Sequence, residues 1–179
     1  MIQEFAVRPV PKNQNARMLF FAFLGGAAAT IAVSYFISAY KGIVQLASLI
    51  LLVAAVTVYT RYLSAVYSYE VTYDSDRTPI FVVCRFSGKR RTSLCRVDIA
   101  DIAEIETLSA EQYRAYKTEQ GIKRYNYTPT LFPPEVNLMR VRGRYEKADV
   151  LLEITAECRD VLLSYVAEAR ATRLADDEE

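Results

Sequence analysis

The sequence predicts a protein of two parts, a membrane hairpin of two α-helices and a mainly β domain of the α+β class. Two observations carry this prediction. No charged residue occurs from Met18 to Tyr40 or from Gly42 to Thr60, although 24% of the whole chain is charged. From about Tyr67 the continuous apolar pattern changes to an alternation of apolar and polar residues, which is typical of strands.

The first part is predicted from the length of the two uncharged runs. Each has the ~20 predominantly apolar residues that a helix needs to cross the hydrocarbon core of a bilayer. Their scattered Ser, Thr and Gln side chains would not give either helix a solvated stripe; a hydrophobic hairpin inside a soluble protein is the alternative. We predict helices over 18–40 and 43–63, in a membrane segment 18–66 that follows an N-terminal segment 1–17.

The orientation of the hairpin follows from its flanking charges. Arg61 follows the second run and Lys41 alone lies between the runs, whereas three basic residues precede the first: Arg8, Lys12 and Arg17. Because basic residues favour the cytoplasmic side, we predict a multi-pass protein of the inner or plasma membrane with both termini in the cytoplasm. A cleaved signal peptide is the alternative for the first run, which is longer than a typical signal core.

One face of the first predicted helix carries small residues. They recur at every fourth position and are Ala22, Gly26, Thr30 and Ser34. Small residues let helix backbones approach closely in lipid. The stripe is therefore predicted either to pack inside the hairpin or to serve self-association or docking to another membrane protein.

The second part is predicted to begin with strands. The stretch "YSYEVTYD" alternates, and "TPIFVVCRF" is rich in β-branched and aromatic residues. Together with "RRTSLCRVDI", the latter predicts a β-hairpin around Gly88, and "IADIAEIETL" continues as a further strand. The stretch "SAEQYRAYKTEQG" is typical of a short helix, with Ser109 as its N-cap and Gly121 after its end.

The later elements of this part are strands followed by one helix. Strands are predicted at "VNLMRVRGR" and "VLLEI". Before them, "KRYNYTPTLFPPEV" opens with Tyr125 and Tyr127, which could lie on a strand, and its prolines then predict a stiff loop. This loop is either packed over the open end of the sheet or exposed as a docking patch. Thr155 caps a final helix whose core-facing stripe comprises Leu162, Tyr165, Val166 and Ala169. The domain 67–173, with its acidic tail 174–179, is thus predicted to be a bent antiparallel sheet or partly open barrel, one end of which the last helix plugs.

The order of these elements resembles the pleckstrin-homology-like domains found in small bacterial membrane proteins. The resemblance rests on the membrane hairpin and on "FVVCRFSGKRRTSLCRVDIADIAEIE", where Asp101 and Ile102 stand near the end of a strand. It also rests on the closing strand and helix from Val150 to Ala169. The resemblance covers residues 67 to 173 and implies a binding or scaffolding module at a membrane, with no named reaction.

The residue types exclude several classes of chemistry. The chain has no histidine, which removes Ser-His-Asp and Cys-His catalysis, histidine metal sites and histidine proton shuttles. Gly25 and Gly26 fall inside a predicted membrane helix, where they cannot form a phosphate-binding loop. The three cysteines form no CxxC pair and are predicted to be reduced core residues; they are Cys84, Cys95 and Cys158. We therefore predict no enzyme, no cofactor and no metal site.

The most distinctive polar feature is the hairpin "CRFSGKRRTSLCR". Its basic residues are Arg85, Lys89, Arg90, Arg91 and Arg96. Beside a cytoplasmic leaflet, anionic lipid would attract each of them by about 1 kcal/mol. The alternative is a solvated hairpin whose charges prevent strand edges from pairing. Nucleic acid is not predicted as a partner, because acidic residues outnumber basic ones after Tyr67.

The predicted function is that of a membrane-anchored, non-enzymatic interaction or scaffolding module within a membrane assembly. One alternative is the binding of anionic lipid through the basic hairpin. Another is an accessory subunit of a transporter or secretion complex that docks through the face around Gly26. The predicted partners are membrane lipids and either an unidentified membrane protein or a second copy of the chain.

Overall fold

A computed structural model of the protein describes residues 2–10, 13–37, 40–118, 120–143 and 147–177. The chain divides into two units: residues 11–65 form one, and residues 1–10 together with 66–179 form the other. Lys12, which contributes to the predicted orientation, and the last two residues of the acidic tail lie outside the described residues.

The helical unit contains both predicted helices. Helix α1 comprises Gln14–Ser34, and helix α2 comprises Lys41–Val58 and continues as a π-turn over Tyr59–Leu63. Both are long and apolar enough to cross a membrane, and only 11% and 17% of their most apolar windows are buried, unlike the core helix of a soluble protein. Helix α1 begins before Met18 because polar residues extend the helix beyond its apolar stretch.

The other unit contains two four-stranded sheets, of which sheet A is antiparallel with the order β1–β2–β3–β4. Its strands are β1 (Phe5–Val7), β2 (Ala65–Tyr73), β3 (Pro79–Ser87) and β4 (Arg90–Asp98). The short strand β1 precedes the helices in the chain and pairs with β2, so that Phe5 lies opposite Val71 and Val7 opposite Tyr69. The two strands at this edge of sheet A therefore come from the chain segments before and after the two helices.

Sheet B has the order β5–β7–β8–β6 and is mixed. Its strands are β5 (Ile102–Ser109), β6 (Lys123–Asn126), β7 (Glu135–Arg142) and β8 (Lys147–Leu152). Strand β8 inserts between β6 and β7, and it runs antiparallel to β7 and parallel to β6. The α+β class agrees with the prediction, but the sheets are not purely antiparallel and the described residues form no closed barrel.

Two helices complete this unit, α3 (Ala110–Ala115) and α4 (Ala156–Asp177). Ser109 caps α3 as predicted, since its hydroxyl accepts a hydrogen bond from the backbone N–H of Gln112. The predicted cap of α4 is also present, because Thr155 Oγ1 accepts from the backbone N–H of Cys158 at 3.3 Å. The apolar face of α4 is buried at Cys158, Leu162, Val166 and Ala169.

The core of this unit contains a buried tyrosine that joins its two sheets. Tyr69 on β2 stacks on Phe81 of β3 with their ring centroids 6.4 Å apart. Its hydroxyl donates to the backbone oxygen of Tyr127 (3.1 Å) and accepts from the backbone N–H of Glu153 (3.2 Å). Burial raises the pKa of Tyr69, so this hydroxyl stays protonated and able to donate.

The proline-rich loop between β6 and β7 is packed, as the first of its two predicted alternatives states. Its buried residues are Thr128, Pro129, Thr130 and Pro133. Thr130 is fixed to Glu153, whose carboxylate accepts from the Thr130 hydroxyl at 2.8 Å. Phe132 alone among the large apolar residues of this loop stands out, with 61% of its surface exposed.

Candidate functional site

The predicted basic hairpin is present and has a two-residue turn. Gly88 adopts φ +60° at the first turn position, which suits a type II′ turn and favours glycine there. Lys89 follows it, and Arg90 begins β4. Both basic side chains are exposed at the tip.

Two of the predicted basic residues lie away from the tip, on the outer face of sheet A. The Arg91 guanidinium reaches across β3, where it pairs with Glu70 of β2 and donates from Nε to Cys84 Sγ at 3.3 Å. Its hydrogen bond to Cys84 and the nearby Glu70 carboxylate raise the pKa of Arg91. Arg96 pairs with Asp74 at 3.3 Å. These two arginines thus cover the apolar side chains of β3 and are held by carboxylates.

A further basic residue, Arg8, lies near the tip of the hairpin, which the sequence analysis did not predict. Arg8 follows β1, and its guanidinium lies 5.1 Å from the ring centroid of Phe86 near the end of β3. This cation–π contact joins the segment before the helices to the hairpin after them. Arg85, the remaining predicted residue, is half-buried on β3.

Chain direction defines the two ends of sheet A. The chain leaves the sheet after Val7 towards α1 and re-enters it at Ala65, directly after the π-turn and Ser64. Since β2 and β3 each have nine residues and are joined by a short turn, Ala65 and Ser87 lie at the same end. We call this end, which carries Arg8, Lys89 and Arg90, the basic end.

The opposite end of sheet A is richer in carboxylates. It carries the β2–β3 turn, the end of β4 and the 3₁₀ turn Ile99–Asp101, with acidic residues Asp74, Asp76, Asp98 and Asp101. A cleft of about 410 Å³ lies there, between the β2–β3 turn and the last turns of α4. Arg173 of α4 closes one side of the cleft through ion pairs to Asp98 (2.5 Å) and Asp101 (2.8 Å).

The cleft wall includes a residue in an unusual backbone conformation. Arg77 has φ +60°, which is costly for a side chain other than Gly, Asn or Asp. Its backbone N–H donates to the carbonyl oxygen of Asp74 at 2.9 Å, which closes the β2–β3 turn. The Arg77 side chain is exposed at this end of the sheet.

Most of the predicted small-residue stripe lies in the interface between α1 and α2. A Cβ added at Gly26 would lie 3.4 Å from Leu51 Cδ1, and Ser34 is buried. Beside the stripe, Ser48 donates to the carbonyl oxygen of Ala27 at 3.0 Å. Thr30 is half-buried and its hydroxyl bonds back to its own helix.

The outer face of α1 differs from this interface. Ala22, the fourth residue of the predicted stripe, is exposed, and nothing lies within 4 Å of a Cβ added at Gly25. The structure therefore assigns Gly26 to packing within the hairpin, and any docking through α1 would use the face with Ala22 and Gly25.

Among the described residues, no group of three or more Cys, Asp or Glu side chains is arranged to hold a metal ion. The three cysteines are free thiols, and burial raises the pKa of Cys158, which makes its thiol a poor nucleophile. No protein-family model, curated protein or solved structure matches the chain.

Proposed function

We propose that the protein spans the membrane twice and that its mainly β domain is a non-enzymatic, pleckstrin-homology-like interaction module in the cytoplasm. The observation that carries the proposal is the pairing of β1 with β2. These two strands flank the helices in the chain yet share backbone hydrogen bonds.

The pairing supports a two-pass topology by a simple argument. Strands that share a sheet lie in one aqueous compartment, so the chain between Val7 and Ala65 crosses the membrane an even number of times. The two helices that are long and apolar enough supply two crossings. Arg8, Arg17 and Arg61 flank these helices on the domain side, and basic flanks favour the cytoplasm.

The pleckstrin-homology-like part of the proposal is supported by the order of elements after the helices. An antiparallel sheet, a second sheet and a closing helix α4 follow one another, as the resemblance implies. Three features depart from a minimal version of that order: the added strand β1, the parallel pairing of β6 with β8, and the inserted helix α3.

The interaction role is supported by the surface of the domain. The end of sheet A opposite the basic end carries an open cleft between elements that are distant in sequence. In the proposed topology, the chain's own helices tether this surface to the membrane. This arrangement suits the assembly of partners at the membrane.

The proposed topology is tested by cysteine labelling of the full-length protein. With the three native cysteines replaced by alanine, single cysteines are introduced as Gln3→Cys, Tyr40→Cys and Thr92→Cys, all at exposed positions. We expect a membrane-impermeant maleimide to label Tyr40→Cys in intact cells, and the other two only after permeabilisation. Labelling of Gln3→Cys and Thr92→Cys from opposite sides would overturn the two-pass proposal.

The interaction role is tested by site-specific photo-crosslinking of the full-length protein in its native membrane. A photoreactive residue replaces Thr172, which lines the cleft, and in a second variant it replaces Gly25 on the outer face of α1. We expect one stoichiometric adduct from the Thr172 position. An adduct from the Gly25 position alone would favour an accessory subunit that docks through its helices, and no adduct from either would argue against both roles.

A further inference from the structure

We propose that the basic end of sheet A binds the headgroups of anionic phospholipids in the membrane that holds the helices, through Arg8, Lys89 and Arg90. This inference rests on the proposed two-pass topology. It changes the predicted set of lipid-binding residues, because Arg8 joins the tip whereas Arg91 and Arg96 belong to the face of the sheet.

The first argument is the position of these residues along the chain. Ser64 alone separates the last residue of the π-turn, Leu63, from the first residue of β2. One residue spans less than ~4 Å of extended chain. The chain therefore passes directly from the π-turn into the end of the sheet at which β2 begins, and the tip of the β3–β4 hairpin lies at that same end.

The second argument is the availability of the basic groups. Among the described residues, Lys89 and Arg90 form no ion pair, and both are exposed. Arg8 is exposed as well, and a guanidinium that stacks on the Phe86 ring keeps the N–H groups at its edge available. By contrast, Glu70 and Asp74 neutralise the two arginines on the sheet face.

The third argument is the distribution of unpaired charge along the sheet. Lys89 and Arg90 at the basic end form no ion pair among the described residues, whereas at the opposite end Arg96 pairs with Asp74, and Arg173 pairs with Asp98 and Asp101. A negatively charged leaflet therefore attracts the basic end, over a range of about one Debye length, ~8 Å at physiological salt.

The chemistry favours phospholipid over a neutral surface. Arginine donates two parallel hydrogen bonds to a phosphate, and lysine acts as a compact point charge. Taken as about 1 kcal/mol for each residue, three basic side chains shift the contact equilibrium by roughly 100-fold. The contact is electrostatic, so added salt should weaken it.

The experiment uses the full-length protein reconstituted in vesicles. A fluorophore is attached to a single cysteine, Ser87→Cys, with the native cysteines replaced by alanine. The vesicles contain phosphatidylcholine with a nitroxide on a fraction of its headgroups, either alone or mixed with phosphatidylglycerol. We expect stronger quenching in the mixed vesicles than in pure phosphatidylcholine. This difference should disappear at high salt and in the triple variant Arg8→Glu, Lys89→Glu, Arg90→Glu.

A matched pair of single variants distinguishes the effect of a charge at the tip from the effect of the net charge of the chain. Lys89→Glu and Arg77→Glu change the charge of the chain equally, at opposite ends of the sheet. We expect Lys89→Glu to reduce the phosphatidylglycerol-dependent quenching and Arg77→Glu to preserve it. Equal effects of the two variants, or equal quenching in both kinds of vesicle, would overturn the lipid contact.

Two further outcomes are distinguishable in the same vesicles. Protection of the label by an added single-stranded oligonucleotide, without any phosphatidylglycerol dependence, would assign the tip to nucleic acid and overturn the proposal. Maleimide labelling of Tyr40→Cys from the same side as Ser87→Cys would instead overturn the two-pass topology. Unchanged circular dichroism of each variant checks that the charge reversals leave the fold intact.

Discussion

Replacement of Asp149 by alanine is expected to lower the free energy of unfolding of the β domain by about 3 kcal/mol, because it removes one partner of a buried ion pair. Asp149 on β8 is only 1% exposed. Its Oδ1 accepts from Arg142 Nη1 at 3.0 Å, and its Oδ2 accepts from the hydroxyl of Tyr116. The alanine variant would leave the mostly buried guanidinium of Arg142 without its carboxylate.

The same acid also anchors the inserted segment that contains α3. Tyr113 and Tyr116 pack against the cluster of Leu108, Val136, Leu138 and Leu151, and the guanidinium of Arg124 lies over both tyrosine rings at 5.4–5.5 Å. Burial and the hydrogen bond to Asp149 raise the pKa of Tyr116. Loss of the carboxylate should therefore loosen the α3 segment as well as sheet B.

The measurement is unfolding in urea of the detergent-solubilised full-length protein, followed by tyrosine fluorescence. Asp160→Ala is the matched control, because Asp160 forms an ion pair with Arg159 but is 65% exposed. Exposed pairs contribute about 0–1 kcal/mol. Similar losses of unfolding free energy in the two variants would show that the buried Asp149 pair stabilises the domain no more than an exposed pair does.

Leu162→Ala is expected to destabilise the same domain by about 2–5 kcal/mol, the range for deletion of a fully buried leucine side chain. Leu162 is inaccessible on the inner face of α4. Its removal leaves a cavity on the buried face of this helix.

The control for this variant is the next residue in the chain. Leu163 is 39% exposed, so Leu163→Ala removes the same atoms from a site that water already reaches, and we expect a loss of about 1 kcal/mol or less. Both variants have equal helix propensity, and urea midpoints compare them directly. An equal loss of stability in the two variants would mean that the Leu162 face of α4 is not buried in the domain.

The elements that the sequence predicted well are those with strong local signals. The two apolar runs, the glycine turn at Gly88, and the caps at Ser109 and Thr155 depend on residues close together in the chain. Each is found near its predicted place. Such signals come from hydrophobic periodicity and from backbone conformations that few residue types adopt.

The elements that the sequence did not predict depend on distant partners. Strand β1 has three residues, and it is a strand only because β2 lies beside it. Arg8 joins the basic end for the same reason, so neither residue type nor spacing distinguishes it from any basic residue before a membrane helix. Likewise, β6 becomes part of a parallel pair only because β8, which comes later in the chain, lies beside it.

The pairing across the helical hairpin also has a consequence for synthesis. Strand β1 leaves the ribosome before the two helices, but its partner residues Tyr69–Val71 appear only after both helices have been made. A contact so distant in sequence is normally slow to form, because its loop must close first. Here the hairpin brings the loop ends together, since the Asn13 side chain donates to the backbone oxygen of Tyr62 at 2.7 Å. Formation of the helical hairpin is thus expected to precede completion of sheet A, and a chain whose helices fail to pair would leave the β2 edge open to other strands.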